Sequence, residues 1–325
     1  MNIAQDLKDW LADRGRQRRT QRAIDGFARA WDRGVVQQHL TRAMADLPAK
    51  SAEAVAAAAR ALLADDAWLD RAIAGLAEAM RADPYFEPPF RAMSGDLHAG
   101  LILFEDAHLS IAAGVTRISE LAARKDGKRG ATSVGFSGRV SVLKFVKAGE
   151  ARISFWEAPP ITADFSAATA GQCARTGERQ LTDGDILTID GRHQTYVIEQ
   201  ARANLLVLQA EISLDAAPLG VEYDSRSLAY VGCSAVRDGA SRIQMISTLL
   251  RKLGAAEAAP VLAGFLDHPD FFVRWHVMRE LLGLDAEAAL PHLKRMAARD
   301  PHEDVRRAAR ATLDRLQAPS ARKAA

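Results

Sequence analysis

The sequence predicts an α+β chain in three parts: an N-terminal helical bundle over residues 1–92, a central jelly roll over 93–215, and helical-hairpin repeats over 216–325. Three observations predict it. Apolar residues recur at helical spacing up to about residue 90, the period changes from 3.6 to 2 between about 97 and 214, and identical residues return at an offset of 32 after about 238. At 325 residues the chain exceeds the usual size of one core, in keeping with more than one domain.

The first 90 residues carry four apolar stripes. Ile3, Leu7, Trp10 and Leu11 make one; Ile24, Phe27, Ala28, Trp31 and Val35 a second; Val55, Ala59, Leu62 and Leu63 a third, behind Ser51 as N-cap; Leu69, Ala72, Ile73, Leu76 and Met80 a fourth, ending before Asp83-Pro84. Arginines 14, 16, 18, 19 and 22 form the densest charge in the chain, which would suit phosphate contacts. Asp9, Asp13, Asp25 and Asp32 flank them and are expected to pair with them, so the favoured reading is a solvated helix start. The three prolines between Asp83 and Phe90 forbid further helix, and Tyr85, Phe86 and Phe90 are expected to pack down between domains.

Strands are expected at 101–104, 108–116, 133–137, 139–147, 151–157, 185–189, 193–199 and 204–212, separated by turn residues such as Ser137-Gly138, Ala148-Gly149, Asp183-Gly184 and Asp190-Gly191. Closely spaced short strands of this kind suit a closed barrel or a two-sheet jelly roll. The segments 139–147 and 151–157 read as an antiparallel hairpin, Asp183–Ile198 as strand, tight turn, strand, and Gly171–Thr182 as the loop before it.

Gly184, Gly191 and His193 in the run Gly184–Val197 resemble the second conserved motif of the cupin superfamily, in which a glycine, a Pro-x-Gly turn, a metal-binding histidine and an asparagine recur. Asp190 stands in place of the turn proline, one residue rather than two separates Gly191 from His193, and Val197 replaces the asparagine. The first motif of that superfamily, His-x-His followed by glutamate, would fall on Val142–Glu150, which has no histidine. The resemblance implies a double-stranded β-helix, degenerate as a metal site. A first-row metal needs about three or four converging N, O or S ligands. His193 supplies one; His98, His108 and Glu199 are the candidates that would complete a metal-dependent enzyme. The expectation is no cofactor and no bound metal, with a small molecule, if any, held in the barrel by His193, Tyr196 and Trp156.

At the offset of 32, Arg242, Arg274 and Arg306 superpose, as do Leu249, Leu281 and Leu313, Ile246 and Met278, Pro269 and Pro301, and Asp238 and Asp270. The segments Pro260–Arg274 and Pro291–Arg306 resemble short HEAT-like repeats, with proline in the first helix, an Asp-Pro-type turn, and Val-Arg opening the second. The first copy, near Arg242, keeps only its second helix. In the last copy Arg307, Arg310 and Asp314 replace Trp275, Met278 and Leu282, the change that a terminal cap with a wet outer face requires.

Composition narrows the function. Hydrophobic residues make up 48% and charged residues 26%, and a net charge of +2 points to neither nucleic acid nor a membrane surface as partner. Cys173 and Cys233 support neither a disulfide framework nor a zinc knuckle. The N-terminal residues lack the apolar run of a secretory signal and no stretch reaches a membrane span, so a cytoplasmic protein is expected. Gly-x-Ser-x-Gly and P-loop patterns are absent. The favoured function is a non-catalytic adaptor whose repeats engage a protein or peptide through Phe271, Phe272 and Trp275. A metal-dependent enzyme at His193 and a nucleic-acid regulator at Arg14–Arg22 are the alternatives.

Overall fold

The computed structural model describes residues 5–34, 37–38, 41–42, 51–127, 133–162 and 164–317. Ile3 and Val35 of the expected stripes, and the expected basic tail 318–325, lie outside them. The chain divides into two compact units, one of residues up to 132 with 139–156 and 175–216, the other of 133–138, 157–174 and 217 onward. No helix among the described residues is long and apolar enough to cross a membrane.

In the first unit, helices α1 (Gln5–Ala12), α2 (Arg14–Asp32), α3 (Ala52–Ala64) and α4 (Ala67–Ala82) take up the four predicted stripes. Asp13 caps α2 by accepting from the Gly15 and Arg16 amides, and Ser51 caps α3 by accepting from Ala54. Among the described residues only Arg16 of the five clustered arginines pairs with a flanking aspartate, Asp13; Asp25 instead accepts from Gln21 and Asp9 from Gln5. The aromatics after α4 pack onto α1 and α2: Tyr85 stacks on Trp10, Phe86 and Phe90 meet Phe27 edge-on, and Phe90 meets Trp31.

The strands are β1 (Arg91–Ser94), β2 (His98–Glu105), β3 (Leu109–Thr116), β4 (Ser133–Phe136), β5 (Val140–Lys147), β6 (Arg152–Glu157), β7 (Ala174–Gln180), β8 (Ile186–Asp190), β9 (Gln194–Gln200), β10 (Leu205–Ile212), β11 (Leu219–Asp224) and β12 (Tyr230–Ala235), with helix α5 (Ile118–Gly127) after β3. A six-stranded sheet runs β1-β2-β3-β10-β5-β8, and a three-stranded sheet runs β7-β6-β9. Strand β5 is buried on both faces. Val140 and Val142 join Leu208, Ala210 and Ile212 under α3 and the start of α4, while Leu143 and Phe145 face Ile153, Phe155, Tyr196 and Ile198 of the smaller sheet. Lys144, on the helix-facing side, is 4% exposed and pairs with Asp66 between α3 and α4.

The boundary near 92 does not separate two cores, because α3 and α4 share theirs with the sheet. The segments 139–147 and 151–157 do not form a two-stranded hairpin: β5 and β6 lie in different sheets, as do β8 and β9. The β5–β6 connection turns through Gly149 (φ 58°) and Glu150 (φ 52°), and a Cβ on Gly149 would sit 2.2 Å from the Ala203 carbonyl oxygen. Consecutive strands that alternate between facing sheets make a jelly roll rather than a meander. Residues 174–180, expected as loop, form β7, which is exposed along its whole length and so carries no alternation to read.

In the second unit, β12-β11-β4 form a sheet around Tyr223, which packs edge-on against Phe136 and Tyr230 and donates its hydroxyl to the Ala170 carbonyl. Helices α6 (Asp238–Leu253), α7 (Ala259–Gly264), α8 (Phe271–Leu284), α9 (Ala286–Arg299) and α10 (Glu303–Gln317) follow. Arg274 and Arg306 are the fourth residues of α8 and α10, and Arg242 is the fifth of α6. Arg274 donates to the carbonyls of His268 and Pro269, and Arg306 to those of Asp300 and Pro301, the same bonds displaced by 32 residues. Arg274 also makes a buried bidentate pair with Asp300, at 2.9 and 2.7 Å. Between α6 and α8, Glu280 meets Arg251, and His276 bonds to Thr248 and the Gln244 carbonyl.

Replacing Arg274 by alanine strands a buried carboxylate and should cost roughly 3–5 kcal/mol. Arg306→Ala, which loses only carbonyl bonds, should cost about 1 kcal/mol. Chemical denaturation of the two variants checks this; equal losses would contradict the assignment of Arg274 as the buried link between copies.

Candidate functional site

Two places gather chemistry-bearing residues, one in each unit. In the barrel, His193 lies in the turn before β9 rather than within the strand. Asp190 organises this turn: it accepts from the Arg192 amide, and the Arg192 guanidinium bonds both Asp190 and Glu53 of α3. Burial works against the Asp190 charge, but the hydrogen bonds and charge of Arg192 outweigh it and hold the carboxyl below its ordinary value. The His193 imidazole, more than a third exposed, stands 3.6 Å from Asp190.

The other candidate ligands do not join it. His98 starts β2 and bonds Thr116, whereas His108 follows the far end of that strand. The eight extended residues of β2 set the two more than about 20 Å apart. Glu199 accepts from Ser154 at 2.5 Å and from Arg175 at 3.4 Å. Among the described residues no three His, Cys, Asp or Glu side chains converge as a metal site would need.

Trp156 and Tyr196 do not share a face either, which corrects the expectation that one ligand meets both. Strand alternation places Tyr196 with Ile198 toward Phe145 in the barrel core. Trp156 lies on the opposite face of the same sheet, donating its indole N–H to Ser154, which in turn donates to Glu199. Tyr196 is half-buried as a residue, yet desolvation pushes its phenol up to about 12.

In the repeat unit, the turns after α7 and α9 enclose a cavity of about 390 Å³. Its polar lining includes His268, Arg274, His292, Arg295, Arg299 and Asp300. Asp300 neutralises Arg274, and Asp267 lies 3.3 Å from Arg295. Arg299 is exposed and has no ion pair among the described residues, so the groove keeps a net positive charge. Such a groove can take a carboxylate or another anionic group. The aromatic candidates lie beside the adjoining turn: Phe271 stacks on His302 with ring centroids 3.8 Å apart and meets Phe272 edge-on. Phe271, Phe272 and Trp275 are all half-buried against the repeat core. Sequence reasoning missed the groove, although His292, Arg295 and Arg299 stand at i, i+3 and i+7, one face of a helix.

Comparisons with known proteins bear on the two units separately. The family model for HEAT repeats matches residues 235–314. No curated protein matches the chain at a significant level. Among solved structures, an ectoine synthase from P. lautus aligns at 12% identity and a TM-score of 0.23, covering 38% of this chain and 69% of its own. A cupin domain from Bordetella pertussis aligns at 13% and 0.22, covering 37% and 98%. A sugar phosphate isomerase from a cupin superfamily, from Silicibacter pomeroyi, aligns at 8% and 0.23, covering 45% and 88%. These likenesses carry no activity over to this chain.

Desolvation raises all four tyrosines, 85, 196, 223 and 230, above their ordinary value of 10.0. A raised phenol contributes stability that is complete below pH 10 and lost as pH rises through the folded value. Ultraviolet titration of the folded chain should therefore show less phenolate at pH 10 than the chain in denaturant, which titrates near 10, with Tyr196 ionising near 12. A full four-tyrosine transition at pH 10 in the folded chain would contradict the burial of Tyr196.

Proposed function

We propose that the protein is a non-catalytic adaptor whose repeat unit binds an acidic peptide segment of a protein partner. The observation that carries this reading is the groove between the turns of the second and third copies, where Arg299 is an exposed cation beside a buried, neutralised Arg274–Asp300 pair. A rigid ion pair at the floor fixes the shape of the groove, and an exposed arginine at its edge selects negative charge. The HEAT match over residues 235–314 supports it, since stacked repeats commonly present extended binding surfaces to partners. Phe272 and Trp275 are proposed to give apolar contact beside the charge, as aromatic anchors do at interfaces. Phe271, stacked on His302, acts mainly in holding the turn.

Arg299→Glu reverses the charge at an exposed position, so the fold should hold within about 0.5 kcal/mol. Affinity for an acidic partner should fall about tenfold or more. Affinity capture from the native cell with the wild-type chain, Arg299→Glu and Phe272→Ser, quantified by mass spectrometry, tests this. Partners lost from both variants support the reading; an identical set from all three chains overturns it.

A further inference from the structure

Not every aromatic ring of the first unit is consumed in its core. At the end of α2, beside the start of β1 and the end of β2, Trp31, Phe90 and Phe104 line a cavity of about 190 Å³ together with Asp32, Arg91 and Glu105. All three rings are half-buried. Trp31 and Phe90 meet with centroids 4.9 Å apart and planes at 76°. Two rings in contact at nearly a right angle make a corner with a π face on each wall, and the negative faces of aromatic rings attract a cation. The Trp31 indole N–H donates to the Leu103 carbonyl at 3.1 Å, which holds this wall against β2.

The charges of the lining point the same way. Arg91 bonds both carboxylate oxygens of Glu105, at 2.6 and 2.7 Å, so these two cancel. Asp32 is exposed and has no ion pair among the described residues, not even with Arg29 of the same turn. It stands in the last turn of α2, where the helix dipole disfavours a carboxylate, so the helix gains nothing from it there. The cavity is left with one net negative charge, and the arginines of α2 do not line it. At about 190 Å³ it is smaller than the roughly 300–1,000 Å³ of sites for drug-sized ligands, and so takes a small group. A primary ammonium would bring three N–H donors to a lining in which Asp32 and Gln37 alone offer uncommitted side-chain acceptors. A quaternary ammonium carries the same charge with no donor to satisfy.

We propose that this corner binds a quaternary ammonium group, held by the rings of Trp31, Phe90 and Phe104 with Asp32 as its counter-charge. A free small cation and the trimethylated side chain of a lysine in another protein present the same chemistry to it. The site belongs to the first unit and does not rest on the groove between the repeats.

Isothermal titration calorimetry of the full chain with three probes tests this: choline, its neutral isostere with carbon in place of nitrogen, and a short glycine and alanine peptide carrying a single trimethyllysine. At least one of the two cations should saturate a single site, and the isostere should bind about tenfold more weakly than choline or not at all. Phe104→Leu keeps the apolar volume but removes a ring, and Asp32→Asn removes the counter-charge at an exposed position. Each should lower the affinity about threefold or more while the far-ultraviolet spectrum stays that of the wild type. Binding of choline without the peptide supports a free cation as the ligand, and a peptide that binds more tightly than choline supports a methylated lysine. No saturable binding of either cation overturns the proposal; so does an isostere that binds as tightly as choline, or an affinity that neither substitution changes.

Discussion

The repeat unit depends on the buried pair of Arg274 and Asp300. The arginine holds the turn of its own repeat through the carbonyls of His268 and Pro269, and with its remaining donors grips the aspartate that opens the turn of the next repeat. One side chain thus fixes the geometry within a repeat and the spacing between repeats. Arg306 makes the first set of bonds and, among the described residues, no ion pair. The groove follows from the same pair, because the two turns that it ties together are the walls.

In the other unit the governing constraint is that β5 serves two cores. Its even positions lie under α3 and α4, and its odd positions face the smaller sheet. A strand covered on both sides reads as a continuous apolar run, and Lys144 is tolerated within it because Asp66 supplies the opposite charge. This double burial is why the helices and the sheet form one unit despite their separate periodicities.

The sequence made much of this legible, and the gaps have physical causes. All eight expected strands are present, each a short run rich in apolar residues between turn residues. β7 escaped notice because both its faces are exposed. The pairing of β5 with β6 was misjudged because a short turn between two strands looks the same whether they pair or part into facing sheets; only the Gly149 carbonyl contacts of Arg202 and Ala203 distinguish them. The 32-residue echo located the repeats, as the HEAT match over 235–314 bears out. For the sites, period-2 counting alone would have put Trp156 and Ser154 on one face, but nothing in the sequence says which strand lies next to β6. The groove residues were hidden for another reason. Each is an ordinary surface Arg or His until the turns bring His268 and Arg299 to the same cavity.

The central claim is that this groove is the working surface of the protein. A photoreactive phenylalanine analogue placed at His292, which lines the groove and leaves Arg299 in place, tests it most directly in the full chain in its native cells, with the same analogue at the exposed Arg279 of α8 for comparison. The account predicts a discrete crosslinked species from position 292 and none from position 279. No adduct at 292, or equal labelling from both positions, would contradict it.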